Sequence, residues 1–341
     1  MNISRTQPPA VAMLWETHEP RDALLSRFGF DGADAAARWL AGVLAAEWGV
    51  TMRSCERVVI SAGNALAWIT TDAGPLIAKW SAVSKLHPRL TEVAALTAWL
   101  DDRGLPVSAP IASSRGVLQV EVDGVSMGLQ TVVDGVHLDV DDRDQVHEAG
   151  VVLARLHLAL ADYPDGDRVA AQPKQRPATS AEPLVQRIVR WLDSMPLERR
   201  SRAAESLRES LAALGSKGTA SLAVQLVHND FRSANVLCNG GRITAVLDFE
   251  EVGLDHPVAD LAGAAVLLGT RFRGWGPVSA RTREVFVSGY RSVRALSEPE
   301  EAWLSALMLW RTLGHVPVGD DPAGWAGSAD EQAFGHEGSR R

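Results

Sequence analysis

Two short blocks, His228-Asn-Asp-Phe-Arg-Ser-Ala-Asn235 and Leu247-Asp-Phe-Glu250, decide the fold of this chain. The first block follows an apolar run, residues 224–227, that is typical of a buried strand. Between the blocks, two further apolar runs flank Asn239-Gly-Gly241. Because Asn and Gly tolerate a positive φ, this pattern predicts a β-hairpin.

The hairpin predicts that three polar side chains converge. Antiparallel pairing brings Asn235, at the start of the first strand, near Asp248, at the end of the second, beside the loop that carries Asp230. Phosphoryl transfer needs one carboxylate to hold the acceptor hydroxyl, and an amide and a second carboxylate to hold Mg²⁺. In the alternative interpretation, Asn235 and Asp248 only cap turns, as these residue types commonly do. The hairpin and the spacing together favour the functional interpretation.

These blocks resemble the signature of the aminoglycoside phosphotransferase family, whose wider group includes choline-kinase-like and homoserine-kinase-like enzymes. That family is itself similar to eukaryotic protein kinases. Its usual signature begins His-Gly-Asp, and Asn229 stands here in place of the Gly. The later stretch Asp255–Ala262 resembles a family element in which an Asp, here Asp260, supports the catalytic loop. The resemblance covers roughly residues 50 to 310 and is specific for fold and reaction, but not for the acceptor.

The resemblance implies an α+β, two-lobed, protein-kinase-like fold, with a small β-rich N-lobe and a larger, mainly helical C-lobe. We divide the chain accordingly into a helical segment packing on the N-lobe (1–50), a nucleotide-clamping N-lobe (51–132), a catalytic and substrate-binding C-lobe (133–318) and a flexible tail (319–341). The tail is assigned from its content of Gly, Ala and Asp.

Apolar patterning predicts three strands early in the N-lobe: 56–61, 66–71 and 75–80. Lys79 lies inside the third, where a charge is costly unless it is paired. Residues 89–100 have helical periodicity, and Glu92 falls on an otherwise apolar face. We therefore predict a Lys79–Glu92 ion pair, which matches the pair that orients ATP phosphates in kinases. The alternative is an edge-strand Lys with a solvated Glu.

The remaining nucleotide contacts are implied by the resemblance. Ser61, Gly63 and Asn64 occupy the position of the loop that covers the phosphates. Backbone groups of Gln130 and Val132, in the hinge between lobes, are expected to hydrogen-bond the base. ATP and GTP stay open as the phosphate donor. The chain has no Gly-x-x-x-x-Gly-Lys-Ser/Thr run, which argues against a Walker-type NTPase.

In the expected mechanism, Asp230 orients the acceptor hydroxyl, and Asn235 and Asp248 hold Mg²⁺. Arg232 takes the place where protein kinases have a cation that neutralises the transferring group, although a surface ion pair is an equal alternative. Glu250 is a candidate ligand of a second metal ion.

Acidic residues around the expected cleft favour a cationic acceptor, such as an aminoglycoside or amino sugar. The candidates are Asp134, Asp139, Glu250, Glu251 and Asp255. A metabolic kinase of the choline or homoserine type and a catalytically inactive nucleotide-binding module stay open as alternatives. A protein kinase is disfavoured because the second block ends in Asp-Phe-Glu rather than Asp-Phe-Gly.

Composition sets the outer limits. A formal net charge of −8 over 341 residues gives no electrostatic reason to bind nucleic acid. The two cysteines form no metal-binding pattern and suit a reducing, cytoplasmic setting. We expect neither a signal peptide nor a membrane partner, since the longest weakly polar run, 259–270, is too short to span a bilayer.

Helical periodicity predicts further helices at 33–48, 146–161 and 183–214, and a surface loop at 162–179. His157 lies beside the apolar face of the second helix and is interpreted as structural.

Overall fold

The computed structural model describes residues 9–174, 183–196, 199–215, 222–273 and 275–335. The chain divides into two compact units, which we describe separately. Unit 1 comprises residues 1–133 and 171–175, and unit 2 comprises 134–170 and 176–341.

Unit 1 is built on a six-stranded sheet in the order β1-β2-β3-β4-β6-β5. Its strands are β1 (Ala10–Met13), β2 (Met52–Ser61), β3 (Asn64–Thr71), β4 (Gly74–Ser81), β5 (Val120–Val122) and β6 (Val125–Thr131). β1 pairs with β2 in parallel, and the other neighbours are antiparallel. The sequence predicted β2, β3 and β4 but only helix before residue 51, because a four-residue edge strand is too short to show a period.

Among the residues of unit 1 that the structure describes, three α-helices accompany the sheet: α1 (Pro20–Phe28), α2 (Ala33–Val43) and α3 (His87–Asp101). α2 continues as a π-helical turn, Leu44–Trp48, and ends at Gly49 with a φ of 65°. Leu24 of α1 and Leu40 of α2 lie in the same buried cluster as Ile60 of the sheet. The N-terminal helices and the sheet therefore share one hydrophobic core.

Unit 2 contains two small antiparallel sheets, in the orders β10-β9-β7 and β11-β8. Their strands are β7 (Val136–His137), β8 (Gln225–Val227), β9 (Val236–Asn239), β10 (Arg242–Val246) and β11 (Gly253–Asp255). β9 and β10 form the predicted hairpin, in which Gly240 has a φ of 58°.

Eight α-helices make up most of the described part of unit 2: α4 (Arg143–Ala161), α5 (Gly166–Ala171), α6 (Leu184–Asp193), α7 (Arg202–Gly215), α8 (Pro257–Leu267), α9 (Ala280–Arg291), α10 (Glu298–His315) and α11 (Trp325–Phe334). α4 and α9 pack very closely. A Cβ atom added at Gly150 would lie 2.0 Å from the carbonyl oxygen of Phe286, and one added at Gly289 would lie 2.0 Å from that of His147. Only glycine allows this approach of the two backbones.

Three sequence expectations need correction. The loop expected at 162–179 contains α5, and its residues 175–179 lie outside the described part. The helix expected at 183–214 is interrupted between α6 and α7 near Pro196, whose ring and missing N–H end helices. The tail expected to be flexible from residue 319 forms α11, because Trp325 is buried where α11 packs on α7 and α10. Residues 1–8 and 336–341 are not described.

Within the described ranges, no helix is long and apolar enough to cross a lipid bilayer.

Candidate active site

The loop from His228 to Asn235 joins β8 to β9 and is held by a carboxylate beneath it. Asp260 of α8 accepts the backbone N–H of His228 through Oδ2 at 3.2 Å and that of Asn229 through Oδ1 at 2.9 Å. Asp260 is 4% exposed, so these N–H donors, rather than water, stabilise its charge. This is the supporting role that the family resemblance implied.

A chain of buried side chains extends this support. His157 of α4 contacts Asp260 Oδ2 through Nε2 at 2.9 Å and the hydroxyl of Tyr290 through Nδ1 at 2.8 Å. Arg294 donates to the same hydroxyl at 3.2 Å and to Glu300 at 2.7 Å. Because a guanidinium only donates, the Tyr290 hydroxyl is free to donate to His157, and His157 donates to Asp260. We call this chain the support relay.

Charge and burial oppose each other at Asp260. Burial alone would raise its pKa, but the hydrogen bonds from His157 and from the backbone N–H of Asn229 hold the pKa below its usual value, so Asp260 is ionised. Burial raises the pKa of Tyr290, which keeps its hydroxyl protonated and able to donate. His157 is fully buried and contacts the residue that holds the loop, and its interpretation as structural stays a prediction.

His228 links the loop to the second block. Its Nδ1 accepts the backbone N–H of Asp230 at 3.2 Å, so Nε2 carries the proton and donates to the carbonyl of Leu247 at 3.1 Å. Complete burial lowers the pKa of His228 although Asp260, Asp230 and Asp248 act in the opposite direction. A neutral His228 therefore ties Asp230 to the chain just before Asp248.

The backbone conformation at Asn229 explains why the family signature usually has glycine at this position. Its φ is 64°, in the left-handed region that glycine enters most easily and Asn next. Its side-chain Nδ2 also donates to the carbonyl of Glu251 at 3.2 Å. Asn229 is thus a tolerated replacement that adds a second tie to the segment after Asp248.

The carboxylate of Asp230 is fixed by two neighbours. The Arg232 Nε lies 3.1 and 3.2 Å from its two oxygens, and Asn235 Nδ2 donates to Oδ2 at 2.7 Å and to the Asp230 carbonyl at 2.9 Å. The Asp230 and Arg232 side chains are 14% and 20% exposed. Arg232 therefore pairs with Asp230 itself, and its catalytic role stays a prediction.

The structure brings Asn235 and Asp248 together, as the hairpin predicted. The N–H of Leu247 donates to the carbonyl of Asn235 at 2.8 Å, which places Asp248 one residue from that bond. Asp248 is exposed, has a φ of 61° and begins the 3₁₀ turn Phe249–Glu251. Glu250 is half-buried within that turn.

This donor set suits magnesium. Because Asn235 Nδ2 is engaged by Asp230, the amide oxygen is the atom left to face a cation. In the ranges that the structure describes, no group of three or more His, Cys, Asp or Glu is arranged to hold a metal. Mg²⁺ is usually bound by few protein oxygen ligands, with substrate phosphates and water completing its coordination. One carboxylate and one amide match this pattern.

In unit 1, Lys79 is half-buried in β4, opposite Leu66 of β3 and Gly128 of β6. Glu92 is half-buried on α3. Their ion pair stays a prediction. Gln130 lies opposite Ile77 near the end of β6, and Val132 follows that strand, so both remain candidates for contact with the base.

The predicted phosphate-covering residues form the turn between β2 and β3. Ser61 is buried and pairs with Asn64 across the turn. A Cβ atom at Gly63 would lie 2.1 Å from a methyl carbon of Val83, so packing alone requires glycine there. Contact of Ser61, Gly63 and Asn64 with phosphate stays a prediction.

One candidate acid for a cationic acceptor is already engaged. Asp255 is 5% exposed and lies 3.5 Å from Nη2 of Arg187. Asp134 and Asp139 are exposed, and Glu250 and Glu251 are half-buried. The acidic cluster expected from the sequence is therefore weaker than its composition suggested.

Solved structures share this architecture. The aminoglycoside phosphotransferase from Alicyclobacillus acidocaldarius superposes with a TM-score of 0.57 at 15% identity, over 84% of this chain and 92% of that chain. The macrolide 2'-phosphotransferase from Brachybacterium faecium gives a TM-score of 0.56 at 16% identity, over 87% and 97%. The predicted α+β, protein-kinase-like fold is confirmed.

Curated relatives are more similar in sequence. A homoserine kinase from Neisseria meningitidis is 25% identical over 249 residues, covering 70% of this chain and 74% of the relative. One from Polaromonas naphthalenivorans is 28% identical over 223 residues, covering 61% and 63%, so the chain spans less than two thirds of that relative. A family model described as "Phosphotransferase enzyme family" matches residues 55–301. This match covers most of the chain, including both blocks and the support beneath them, and the chain therefore belongs to the phosphotransferase enzyme family.

Proposed function

We propose that this chain is a small-molecule kinase that transfers the γ-phosphate of ATP or GTP to a hydroxyl group, with a homoserine-type acceptor as the first candidate. The observation that carries the proposal is the fixed carboxylate of Asp230, 2.7 Å from Asn235 Nδ2 and linked through Leu247 to Asp248. An inactive binding module would not require Asp230, Asn235 and Asp248 together with the hydrogen bonds that connect them.

Asp230 accepts the hydrogen bond of the acceptor hydroxyl and aims its oxygen at the phosphorus. Since the transition state of phosphoryl transfer is loose, orientation matters more than basicity, and Asp230 takes the proton late. Asn235 prevents the carboxylate from rotating, because one Nδ2 group holds both the side chain and the backbone of Asp230. Arg232, beside that carboxylate, neutralises charge on the transferring group.

Mg²⁺, when bound, would neutralise charge on the phosphates. Asn235 and Asp248 would hold it, and Glu250 is the candidate ligand of a second ion. Lys79, oriented by Glu92, binds the α- and β-phosphates. Ser61, Gly63 and Asn64 cover the phosphates, and Gln130 and Val132 hydrogen-bond the base.

The curated relatives support the homoserine-type acceptor, since homoserine kinases match 60% or more of this chain. Aminoglycosides and amino sugars, suggested by the acidic sequence, form the second class to test. The solved phosphotransferase structures share 15–16% identity with this chain and support only the fold.

The test is acceptor-dependent ADP or GDP release, with the product identified by ³¹P NMR. The panel holds homoserine, choline, an aminoglycoside and an amino sugar, each with ATP and with GTP. We expect Mg²⁺-dependent release of ADP or GDP, with one molecule of a single phosphate monoester formed for each nucleoside diphosphate released. Failure to bind either nucleotide in the presence of Mg²⁺ would contradict the proposal.

A further inference from the structure

Two side chains from the N-terminal segment hold the turn between β2 and β3. Ala62 is the first residue of that turn. Its backbone N–H donates to Glu16 Oε1 at 3.0 Å, and its carbonyl accepts from Nη1 of Arg27 at 2.7 Å. Nη2 of Arg27 donates to Glu16 Oε2, which closes a ring of three hydrogen bonds. We call Glu16 and Arg27 the turn clamp.

The segment that supplies the turn clamp is anchored to the sheet of unit 1. Before Glu16, the N–H of Leu14 donates to the carbonyl of Ile60 at 2.9 Å, which continues the pairing of β1 with β2. Leu24 of α1 lies in the same buried cluster as Ile60, and Arg27 is in the last turn of that helix. The Glu16 and Arg27 side chains are only 19% and 22% exposed. The turn clamp is therefore better fixed than an ordinary surface ion pair.

The backbone conformation of Ala62 requires such support. Its φ of 43° lies in the left-handed region, which glycine enters easily and alanine rarely. Strained residues persist where surrounding contacts impose the conformation, and they are common in segments that bind ligands. The carbonyl of Gly63, the next residue, accepts the N–H of Ala82 at 3.0 Å. Hydrogen bonds therefore fix both residues of the turn in the free protein.

The two charges of the turn clamp balance each other. The hydrogen bond from Arg27 holds the pKa of Glu16 below its usual value, although burial acts in the opposite direction. Glu16 is therefore ionised, and the guanidinium of Arg27 neutralises it. An unpaired carboxylate would repel a phosphate group bound at this turn. Because it is paired, Glu16 can hold the turn without opposing the binding of an anion.

We propose that Glu16 and Arg27 are positioning residues for the nucleotide, which hold the turn at residues 61–64 in the shape that covers the phosphates. This inference rests on the proposed function and adds two residues that act through the turn. Both precede residue 55, where the match to the family model begins, so the turn clamp lies outside the matched region. Without the turn clamp, the turn would have to be ordered during binding, at a cost in affinity.

The test compares ligands with and without phosphates. Competition binding in the presence of Mg²⁺ gives the Kd of a non-hydrolysable triphosphate analogue and of the matching nucleoside, adenosine or guanosine. For Glu16→Ala and Arg27→Gln, the Kd of the analogue should rise about 5- to 50-fold, the range of a moderate energetic coupling. The Kd of the nucleoside should stay within about twofold, because it has no phosphates for the turn to cover.

Two further variants calibrate this result. Glu16→Gln keeps an oxygen that can accept the N–H of Ala62 but loses the ion pair, so its effect should be smaller than that of Glu16→Ala. Arg21→Gln is the matched control. Arg21 lies on the same helix as Arg27 and pairs with Asp31 at 3.3 Å, but these two side chains are 73% and 83% exposed. Both Kd values should stay within about twofold of the wild type in this control.

Hydrogen exchange of the Ala62 amide, followed by NMR without nucleotide, tests the turn clamp apart from any activity. The amide should exchange slowly in the wild type and in Arg21→Gln, and faster in Glu16→Ala, because the carboxylate that accepts it is lost. Urea unfolding shows that each variant remains folded. Rapid exchange of this amide in the wild type would overturn the inference at its first step.

Two binding results would overturn the inference and leave the proposed function standing. Equal losses for the triphosphate analogue and the nucleoside would show that the turn clamp only stabilises unit 1. Unchanged affinity in both Glu16→Ala and Arg27→Gln, with faster exchange at Ala62, would show that the turn covers the phosphates without its help. A wild-type protein that binds neither nucleotide would instead contradict the proposed function itself, and this inference with it.

Discussion

At the scale of single residues, the backbone at Asn229 sets the geometry next to Asp230. The backbone N–H groups of His228 and of Asn229 itself donate to Asp260, and the φ of 64° at Asn229 turns the chain directly after them. A residue with a Cβ atom is strained in this conformation unless its side chain compensates, which the amide of Asn229 does by bonding Glu251.

Two variants at this position separate backbone strain from the side-chain bond. Both Asn229→Gly and Asn229→Ala lose the bond to Glu251, but only Ala has a Cβ atom in a left-handed conformation. We expect the Ala variant to be less stable than the Gly variant by about 1 kcal/mol in urea unfolding. Equal stabilities, or a more stable Ala variant, would show that the loop does not hold this φ in solution.

The sequence alone predicted much of this residue-scale site. Asp230, Asn235 and Asp248 lie within one loop and hairpin, so local spacing and turn chemistry suffice to bring them together. Arg187 and Arg311 are far apart in the chain and meet only through helix packing. No local pattern could have paired them, and the ion pair of Arg187 with Asp255 engages one of the acids that composition suggested for the acceptor site.

At the scale of helices, α4 and α9 must approach closely for the support relay to close. His157 and Tyr290 lie on these two helices, with their ring centroids 5.5 Å apart. Gly150 and Gly289 allow this approach, since a side chain at either would meet backbone of the other helix.

Gly150→Ala should therefore push α4 and α9 apart. The added methyl group would lie 2.0 Å from a backbone carbonyl, which cannot rotate away. We expect a loss of about 1–3 kcal/mol in the free energy of unfolding. Gly314→Ala on α10 is the control, because nothing lies within 4 Å of its Cβ position, and it should gain up to about 1 kcal/mol. The opposite order of the two variants would refute the packing argument.

The support relay itself is tested at Tyr290 and Arg294. Tyr290→Phe keeps the ring but removes the hydroxyl, so His157 loses its donor and Asp260 is held less firmly. We expect kcat to fall about 10-fold while KM for both substrates changes little, since neither residue contacts substrate. Arg294→Gln should act in the same direction.

Arg291→Gln is the matched control for Arg294→Gln. Arg291 also pairs with a glutamate, Glu301, but its side chain is 44% exposed and outside the relay. Exposed pairs contribute about 0–1 kcal/mol, so activity should stay within about twofold of the wild type. Similar losses in Arg291→Gln and Arg294→Gln would show that the relay has no special role.

At the scale of the whole molecule, each compact unit carries one buried cysteine, Cys55 in unit 1 and Cys238 in unit 2. Burial raises the pKa of both thiols to about 11. Both should therefore resist a thiol reagent at pH 8 in the native protein, since the thiolate is the reactive form. Mass spectrometry after pulse labelling along a urea titration should then report the unfolding of each unit. Rapid native labelling of either cysteine would contradict its buried placement.

Composition misled the prediction of whole segments more than that of single residues. Residues 325–334 belong to a stretch rich in Gly, Ala and Asp, yet one buried tryptophan, Trp325, anchors them as α11. Disorder follows from a lack of apolar surface to bury, and a single large aromatic side chain supplies about 150–250 Å² of it. The division into a sheet-bearing unit and a mainly helical unit was predictable because the family resemblance implies this arrangement of strands and helices.

The most direct test compares the turnover of the Asp230→Asn variant with its affinity for nucleotide. Asn keeps the shape of Asp230 but cannot take the hydroxyl proton, so kcat should fall by about 100- to 10,000-fold. The Kd for a non-hydrolysable ATP analogue with Mg²⁺ should stay within about threefold of the wild type, and Asp162→Asn, an exposed acid after α4, should leave both unchanged. An Asp230→Asn variant that kept more than about a tenth of wild-type turnover would contradict the assignment of Asp230 as the residue that orients the acceptor.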